Sequence, residues 1–295
     1  MTKTAVEGEA AILQLQRLKP HEFEAIRRLA HEKFGLDLRQ GKEELVAARL
    51  GKRMREGGFE SFEAYYEHVI GDPSGEALTG MIDALATNHT SFLREADHFE
   101  FLRRNVLPGL RERPRIEIWS AACSTGEEPY TLAFTLWDEL GAALFRRVRI
   151  VATDISTKAL AAAKNAVYQA ERFNAFPNHW LRQFLLRGEG RWTGWYRVKP
   201  EVRSQVEFAR SNLVEPFSHS NLFPVIFCRN VMIYFNKTTQ ESLVNRLAQC
   251  LEPGGFLFIG HAESLTGVRH GLTYVRPAVY QKPGARPGGG WKWAT

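Results

Sequence analysis

The 295-residue chain is 44% apolar and 24% charged, a globular balance with enough length to bury two cores. No apolar run approaches the roughly 18 residues of a membrane span. Met1–Ala10 carries acidic residues and no long apolar stretch, so no secretory signal is expected there. The net charge of +6 fits plain solubility or attraction to an acidic partner, whether nucleic acid or protein. Cys123, Cys228 and Cys250 lie far apart without metal-ligand spacing, and this odd, sparse count suits a reducing cytoplasm.

From about Lys19 to Ala86 the pattern is helical. Phe23, Ile26, Leu29 and Phe34 recur at helical spacing, as do Val46, Leu50 and Met54 within Glu43–Glu56, which Gly57-Gly58 ends. Phe62, Tyr65, Tyr66 and Val69 mark a further helix, and Asp72-Pro73-Ser74-Gly75 a turn. Arg49, Lys52 and Arg53 cluster beside the second stripe, as a solvated face or as a binding one. Beyond Arg115 the period changes. Short β-branched or aromatic runs at 116–119, 148–152, 206–209, 223–228 and 255–259 alternate with helical patterns at 128–140, 158–169 and 238–251. This is the pattern of an α/β fold, a parallel sheet with helices on both faces. Residues 180–205 interrupt the alternation with Gly188-Glu189-Gly190, Trp192, Trp195 and Tyr196, and read as a small antiparallel insert with exposed aromatics. The Gly/Pro-rich tail 283–295 is expected to be disordered, and its Trp291-Lys292-Trp293 has no explanation.

In such a sheet, ligands bind at the carboxyl ends of the strands. The first run ends in Ser120-Ala121-Ala122-Cys123-Ser124-Thr125-Gly126-Glu127-Glu128, small residues that admit a ligand to the backbone, followed by two carboxylates at a helix start. A phosphate cradle wants the opposite charge. The second run ends at Asp154, placed to accept from both hydroxyls of a ribose or to cap the next helix. The third ends at Ser211-Asn212-Leu213, which could frame a purine or simply turn the chain. Glu127 and Glu128 could equally be first-turn acids favoured by the helix dipole. Taken together, the three describe a nucleoside site without a phosphate grip. S-adenosylmethionine fits, whereas a dinucleotide would want a G-x-G-x-x-G turn that is absent.

Two more segments complete a resemblance. Asn88-His89-Thr90-Ser91-Phe92-Leu93-Arg94-Glu95 and Phe227-Cys228-Arg229-Asn230-Val231-Met232-Ile233-Tyr234-Phe235, with Ser120–Tyr130, closely resemble the bacterial chemotaxis receptor methyltransferases, the CheR family. The resemblance runs from roughly Leu18 to Lys282. It implies a class I S-adenosylmethionine-dependent methyltransferase (Rossmann-like) domain over 115–282 with an antiparallel β-subdomain insert at about 180–205. A small all-helical N-terminal domain (1–86) and a cofactor-contacting linker (87–114) would precede it. The implied activity is protein-glutamate O-methyltransferase: methyl transfer from S-adenosylmethionine to glutamate carboxylates of chemoreceptors, giving methyl esters and S-adenosylhomocysteine for sensory adaptation.

Carried over by motif, Asn88, Thr90 and Arg94 would contact the cofactor from the linker. Glu128 would bind its amino-acid end (Glu127 less clearly), Asp154 the ribose, and Asn212 and Leu213 the adenine. Arg229 and Asn230 would lie beside it, with Tyr234 close to the transfer path. Leu93 and Cys123 depart from common residues of the family, and both stay apolar and compact. A glutamate nucleophile is ionised at neutral pH, so no general base is needed. Arg94 and Tyr234 would orient it. No metal is expected. His89 and His261 read as packed or solvated histidines, and Cys228 as a core thiol.

The resemblance also implies a cytoplasmic monomer that meets the cytoplasmic domain of transmembrane chemoreceptors, with neither nucleic acid nor membrane insertion. Arg49, Lys52 and Arg53 would face the receptor's acidic helices. Gly188 and Gly190 would mark a loop that docks a receptor C-terminal pentapeptide, unless they form a plain hairpin turn. An RNA or small-molecule methyltransferase and a non-catalytic cofactor sensor are the competing readings.

Overall fold

The computed structural model describes residues 18–86, 88–217, 219 and 221–284. The readings of Met1–Ala10 and of the tail from 285, including Trp291–Trp293, fall outside the described residues. The chain divides by contacts into two compact units.

The first unit comprises the residues before Asn88 together with Tyr234–Asn236. Its helices are α1 (Pro20–Phe34), α2 (Glu43–Gly57), α3 (Phe62–Gly71) and α4 (Glu76–Leu85). Pro20 opens α1, where its missing N–H costs nothing, and Glu22 accepts from the Lys19 N–H at 2.7 Å. Gly35 and Gly58 end α1 and α2 at φ 71°. The expected stripes are the buried ones, Phe23, Ile26, Leu29 and Phe34, then Val46, Leu50 and Met54, then Phe62, Tyr65 and Val69, whereas Tyr66, read with the last stripe, is only half-buried. Tyr234 is half-buried, and its carbonyl accepts from the Asp37 N–H at 2.8 Å within this unit.

The second unit holds a seven-stranded sheet in the order β6-β2-β1-β7-β8-β10-β9. Its strands are β1 (Ile116–Ala121), β2 (Val148–Asp154), β6 (Val206–Arg210), β7 (Phe223–Cys228), β8 (Leu251–Phe258), β9 (Thr273–Arg276) and β10 (Val279–Gln281). The first five pair in parallel, and β10 and β9 close the edge antiparallel. All residues of β1 and β7 are buried, as expected of strands covered on both faces. The helices α7 (Glu127–Phe145) and α11 (Lys237–Cys250) match periodic stretches, and α8 (Thr157–Asn165) matches the first part of a third. Gly141, at φ 75°, kinks α7 near its end. The chain leaves β1 for β2 and β6 on one side and crosses to β7 and β8 on the other. The switch of direction therefore opens at the carboxyl ends of β1 and β7.

The helix read over 158–169 stops at Asn165. Ala166 takes φ 53°, and Val167–Gln169 becomes strand β3. With β4 (Leu185–Arg187) and β5 (Trp195–Val198) it forms a three-stranded antiparallel sheet, order β3-β5-β4. The small sheet therefore draws on chain upstream of 180–205. Trp192 is 49% exposed, whereas Trp195 and Tyr196 are half-buried.

Candidate active site

The turn after β1 is shaped for close approach. Ala122 and Ser124 hold φ of 69° and 51°, and Gly126 holds 97°. A Cβ on Gly126 would stand 2.8 Å from the Tyr168 hydroxyl and 2.9 Å from the Ala163 Cβ, so glycine is required by conformation and by space. Tyr168 fixes the turn by donating its hydroxyl to the Thr125 carbonyl at 2.7 Å.

Asp154 stands buried at the end of β2. Its Oδ2 accepts from the Ser124 N–H at 2.7 Å and its Oδ1 from the Ser156 N–H at 2.9 Å. The helix cap weighed for Asp154 is instead Ser156, whose Oγ accepts from the Ala159 N–H at 3.0 Å. The end of β6 lies beside Asp154, because the Ser211 N–H donates to the Asp154 carbonyl at 3.0 Å. Asn212 there turns the chain: its Oδ1 accepts from the Val214 N–H at 3.3 Å and its Nδ2 donates to Glu215 at 2.8 Å. Leu213 is buried.

The linker segment is fastened over the same end of the sheet. Phe92 enters a cluster of Phe134, Tyr168, Phe173 and Phe176 with ring centroids 4.8 to 6.3 Å away. The Asn88 carbonyl accepts from Ser124 Oγ at 3.3 Å, and the Thr90 carbonyl accepts from Arg172 Nη1 at 3.0 Å. Arg172 also faces Glu127 Oε1 at 3.4 Å, and Thr125 Oγ1 donates to Glu127 Oε2 at 2.6 Å. Glu127 therefore secures the turn and the linker. Arg94, half-buried, donates to the His89 carbonyl at 2.7 Å.

Arg229 is the hub. Its buried guanidinium donates to Glu95 Oε2 (2.8 Å), Glu128 Oε2 (3.1 Å) and the Arg94 carbonyl (2.5 Å), over the rings of Phe99 and Phe227. Glu128 also accepts from Ser120 Oγ at 2.7 Å. Burial resists ionisation of Glu95, but the hydrogen bonds and charge of Arg229 outweigh it and hold that carboxyl at about 2. Burial pushes Glu128 the other way, above the usual carboxylate range, against the pull of Arg229 and Ser120. Asn230 donates Nδ2 to Glu95 Oε1 at 3.1 Å and sits at φ 58°. Glu263 supports that conformation by accepting from the backbone N–H groups of Asn230, Ile233 and Gly260. A Cβ at Gly260 would stand 2.3 Å from Asn230 Nδ2.

Two carboxylates share one guanidinium here, and Asp154 adds another negative charge nearby. The pocket suits a ligand that carries positive charge at its amino-acid end and a diol at its ribose. That matches S-adenosylmethionine, whose ammonium would relieve the desolvated Glu128.

The strand ends thus bring together Asn88, Thr90, Arg94, Glu128, Asp154, Asn212, Leu213, Arg229 and Asn230. Arg49, Lys52, Arg53, Gly188, Gly190 and Tyr234 belong to other elements. Arg49 donates to the Leu85 carbonyl at 2.5 Å and so caps α4, and Arg53 lies over Gly80, where a Cβ would meet its Nη2 at 2.2 Å. Both are used within the helical unit, which leaves Lys52 as the most solvent-directed of the three, its side chain 73% exposed. Gly188 and Gly190 are explained locally by their turn. A Cβ on Gly188 would stand 2.2 Å from the Trp192 carbonyl, and Gly190 has φ 57°.

Sequence reasoning missed Glu95 and Glu263 as site residues. An arginine at the end of a buried strand needs a buried acid, and that was the available signal for Glu95. Nothing in the local pattern marks Glu263.

The family described as "CheR methyltransferase, SAM binding domain" matches residues 88–280, and "CheR methyltransferase, all-alpha domain" matches residues 21–86. Among similar proteins, the chemotaxis protein methyltransferase 2 of Pseudomonas aeruginosa is 40% identical over 260 residues, 88% of this chain and 92% of that one. The chemotaxis protein methyltransferases of Salmonella typhimurium and Escherichia coli are 36% and 34% identical, each covering 95% of this chain and 98% of its own length.

Proposed function

The chain belongs to the CheR methyltransferase family, and we infer from that membership and from the acidic strand-end pocket that it methylates chemoreceptor glutamates with S-adenosylmethionine. The observation that carries the chemistry is the pair Glu95 and Glu128 on the single buried guanidinium of Arg229, a net negative wall for a cationic donor. When bound, S-adenosylmethionine supplies an electrophilic methyl group on a sulfonium, and a carboxylate acceptor takes it as the neutral thioether departs. The chain's own residues position and desolvate. Glu128 holds the ammonium end, Asp154 the ribose, and Asn212 and Leu213 frame the base. Asn88 and Thr90 close the linker over the turn. Arg94 orients the acceptor carboxylate by a contact weak enough to leave it nucleophilic, and Tyr234 is the second residue proposed for that role. The acceptor is ionised at neutral pH without a base, and a sulfonium that departs as a neutral thioether needs no Lewis acid.

Incubation with methyl-labelled donor and receptor-bearing membranes should give a base-labile ester on a receptor-sized protein. Label on RNA, or none on any receptor, would refute this reading.

We further propose that the protein works as a cytoplasmic monomer and meets receptors at two places. Among the described residues, no helix is long and apolar enough to cross a membrane. The face of α2 bearing Arg49, Lys52 and Arg53 meets acidic receptor helices. The edge strand β4, with Leu186 47% exposed and the Gly188–Gly190 turn beside it, adds a receptor C-terminal peptide as a fourth strand. Lys52→Glu is expected to raise KM for receptor several-fold at low salt with cofactor affinity unchanged. Leu186→Glu should remove saturable binding of such peptides. Unaltered KM, or no receptor peptide that binds the wild type, would eliminate the respective contact.

A further inference from the structure

Behind the Arg229 hub lies a group of side chains that methyl transfer does not use. His98, on α5 (Ala96–Phe101), is fully buried, and neither of its ring nitrogens has a hydrogen-bond partner. A neutral imidazole carries one donor and one acceptor, and leaving both unmade in the interior is costly. Its Nδ1 stands 3.5 Å from Glu95 Oε2. The half-exposed ring of His261 packs edge-on against it with centroids 4.7 Å apart. One donor atom from each of Glu95, His98 and His261 lies within 4.8 Å of the other two. Two ligands about 2.1 Å from a tetrahedral ion stand roughly 3.4 Å apart, so Glu95 and His98 already hold that spacing. His261 is oriented by Asp97, Nε2 to Oδ1 3.1 Å, and Asp97 in turn faces Arg276 at 3.3 Å. An outer carboxylate of this kind fixes ligating imidazoles in metal sites.

We propose that Glu95, His98 and His261 form an inhibitory site for a divalent cation of the zinc class. Two imidazoles are borderline donors that favour Zn²⁺ over Mg²⁺ or Ca²⁺, and a carboxylate is a common third ligand of Zn²⁺. The ion is not a cofactor, because Glu95 is also the acceptor for Arg229 and Asn230. A cation on Glu95 competes with the guanidinium for Oε2 and is repelled by it. Binding is therefore modest in affinity, and it loosens the two residues that border the cofactor. Exposed His261 is the entry side.

The test uses the full chain, stripped of chelators and titrated with Zn²⁺ against a chromogenic indicator. Wild type should bind one equivalent, at least about tenfold more tightly than His261→Ala. Co²⁺ should give the absorption of a tetrahedral site in wild type only. Circular dichroism shows that the surface variant is folded. No saturable Zn²⁺ binding, or equal affinity in His261→Ala, overturns the site. Inhibition rests on the proposed methyl transfer and is read separately: Zn²⁺ should suppress transfer in wild type and spare His261→Ala. Equal suppression of both overturns the coupling, and the binding measurement stands whatever the substrate proves to be.

Discussion

Arg229→Met is expected to cost the protein both stability and activity. The substitution removes one buried cation and leaves Glu95 and Glu128 without their shared counter-ion, each with one neutral side-chain donor, Asn230 and Ser120 respectively. Breaking a buried ion pair from one side costs about 3–5 kcal/mol, a large part of the roughly 5–15 kcal/mol that holds a domain together. The loss should appear as a lower denaturation midpoint of the second unit. The Arg94 carbonyl loses its donor at the same time, so the linker segment bearing Asn88, Thr90 and Arg94 loosens. Methyl transfer should fall at least about a hundredfold, equivalent to losing roughly 2–3 kcal/mol of charged hydrogen bonding. Arg229→Lys keeps the charge but cannot reach three acceptors with a planar fork, and should fall between the two. A fully stable, fully active Arg229→Met protein would show that the hub is incidental.

The hub explains what was and was not legible in the amino-acid order. Local physics wrote the elements. The apolar run 223–228 coincides with β7, and the stripe of Phe23, Ile26, Leu29 and Phe34 coincides with the buried face of α1. The strands β9 and β10 are only four and three residues long and carry little periodic signal, so the antiparallel edge went unread. The small sheet was read too far downstream because Val167–Gln169 continues the apolar spacing of α8 and is parted from it only by one left-handed residue. At the site, each strand end was visible because a run of apolar residues stops there. Glu95 was not, because its meaning depends on a partner 134 positions away, and no periodicity records such a pairing. The same holds for Glu263, whose three backbone donors are brought to it by the turns after β7 and β8.

Asp154→Ala separates the two roles that a buried carboxylate at a strand end can have. If Asp154 only anchors the turns, its loss removes acceptors from the Ser124 and Ser156 N–H groups. The protein then melts earlier, and each folded molecule binds S-adenosylhomocysteine as before. If it also holds the ribose, two charge-assisted hydrogen bonds of about 1.5–3 kcal/mol each are lost, and the affinity read by calorimetry falls on the order of 10²- to 10⁴-fold. The second outcome is expected, because the side-chain cap of α8 is supplied by Ser156 and not by Asp154. Asp154→Asn should rescue little. Its single carbonyl oxygen can serve only one of the two N–H groups, and its amide would confront the other donor. The methionyl end gives the internal control: Glu128→Gln should weaken binding of S-adenosylhomocysteine yet leave that of adenosine alone unchanged, whereas Asp154→Ala should weaken both. Equal losses for the two ligands in both variants would mean that the pocket collapses as a whole, and the division of labour between β1 and β2 would have to be abandoned.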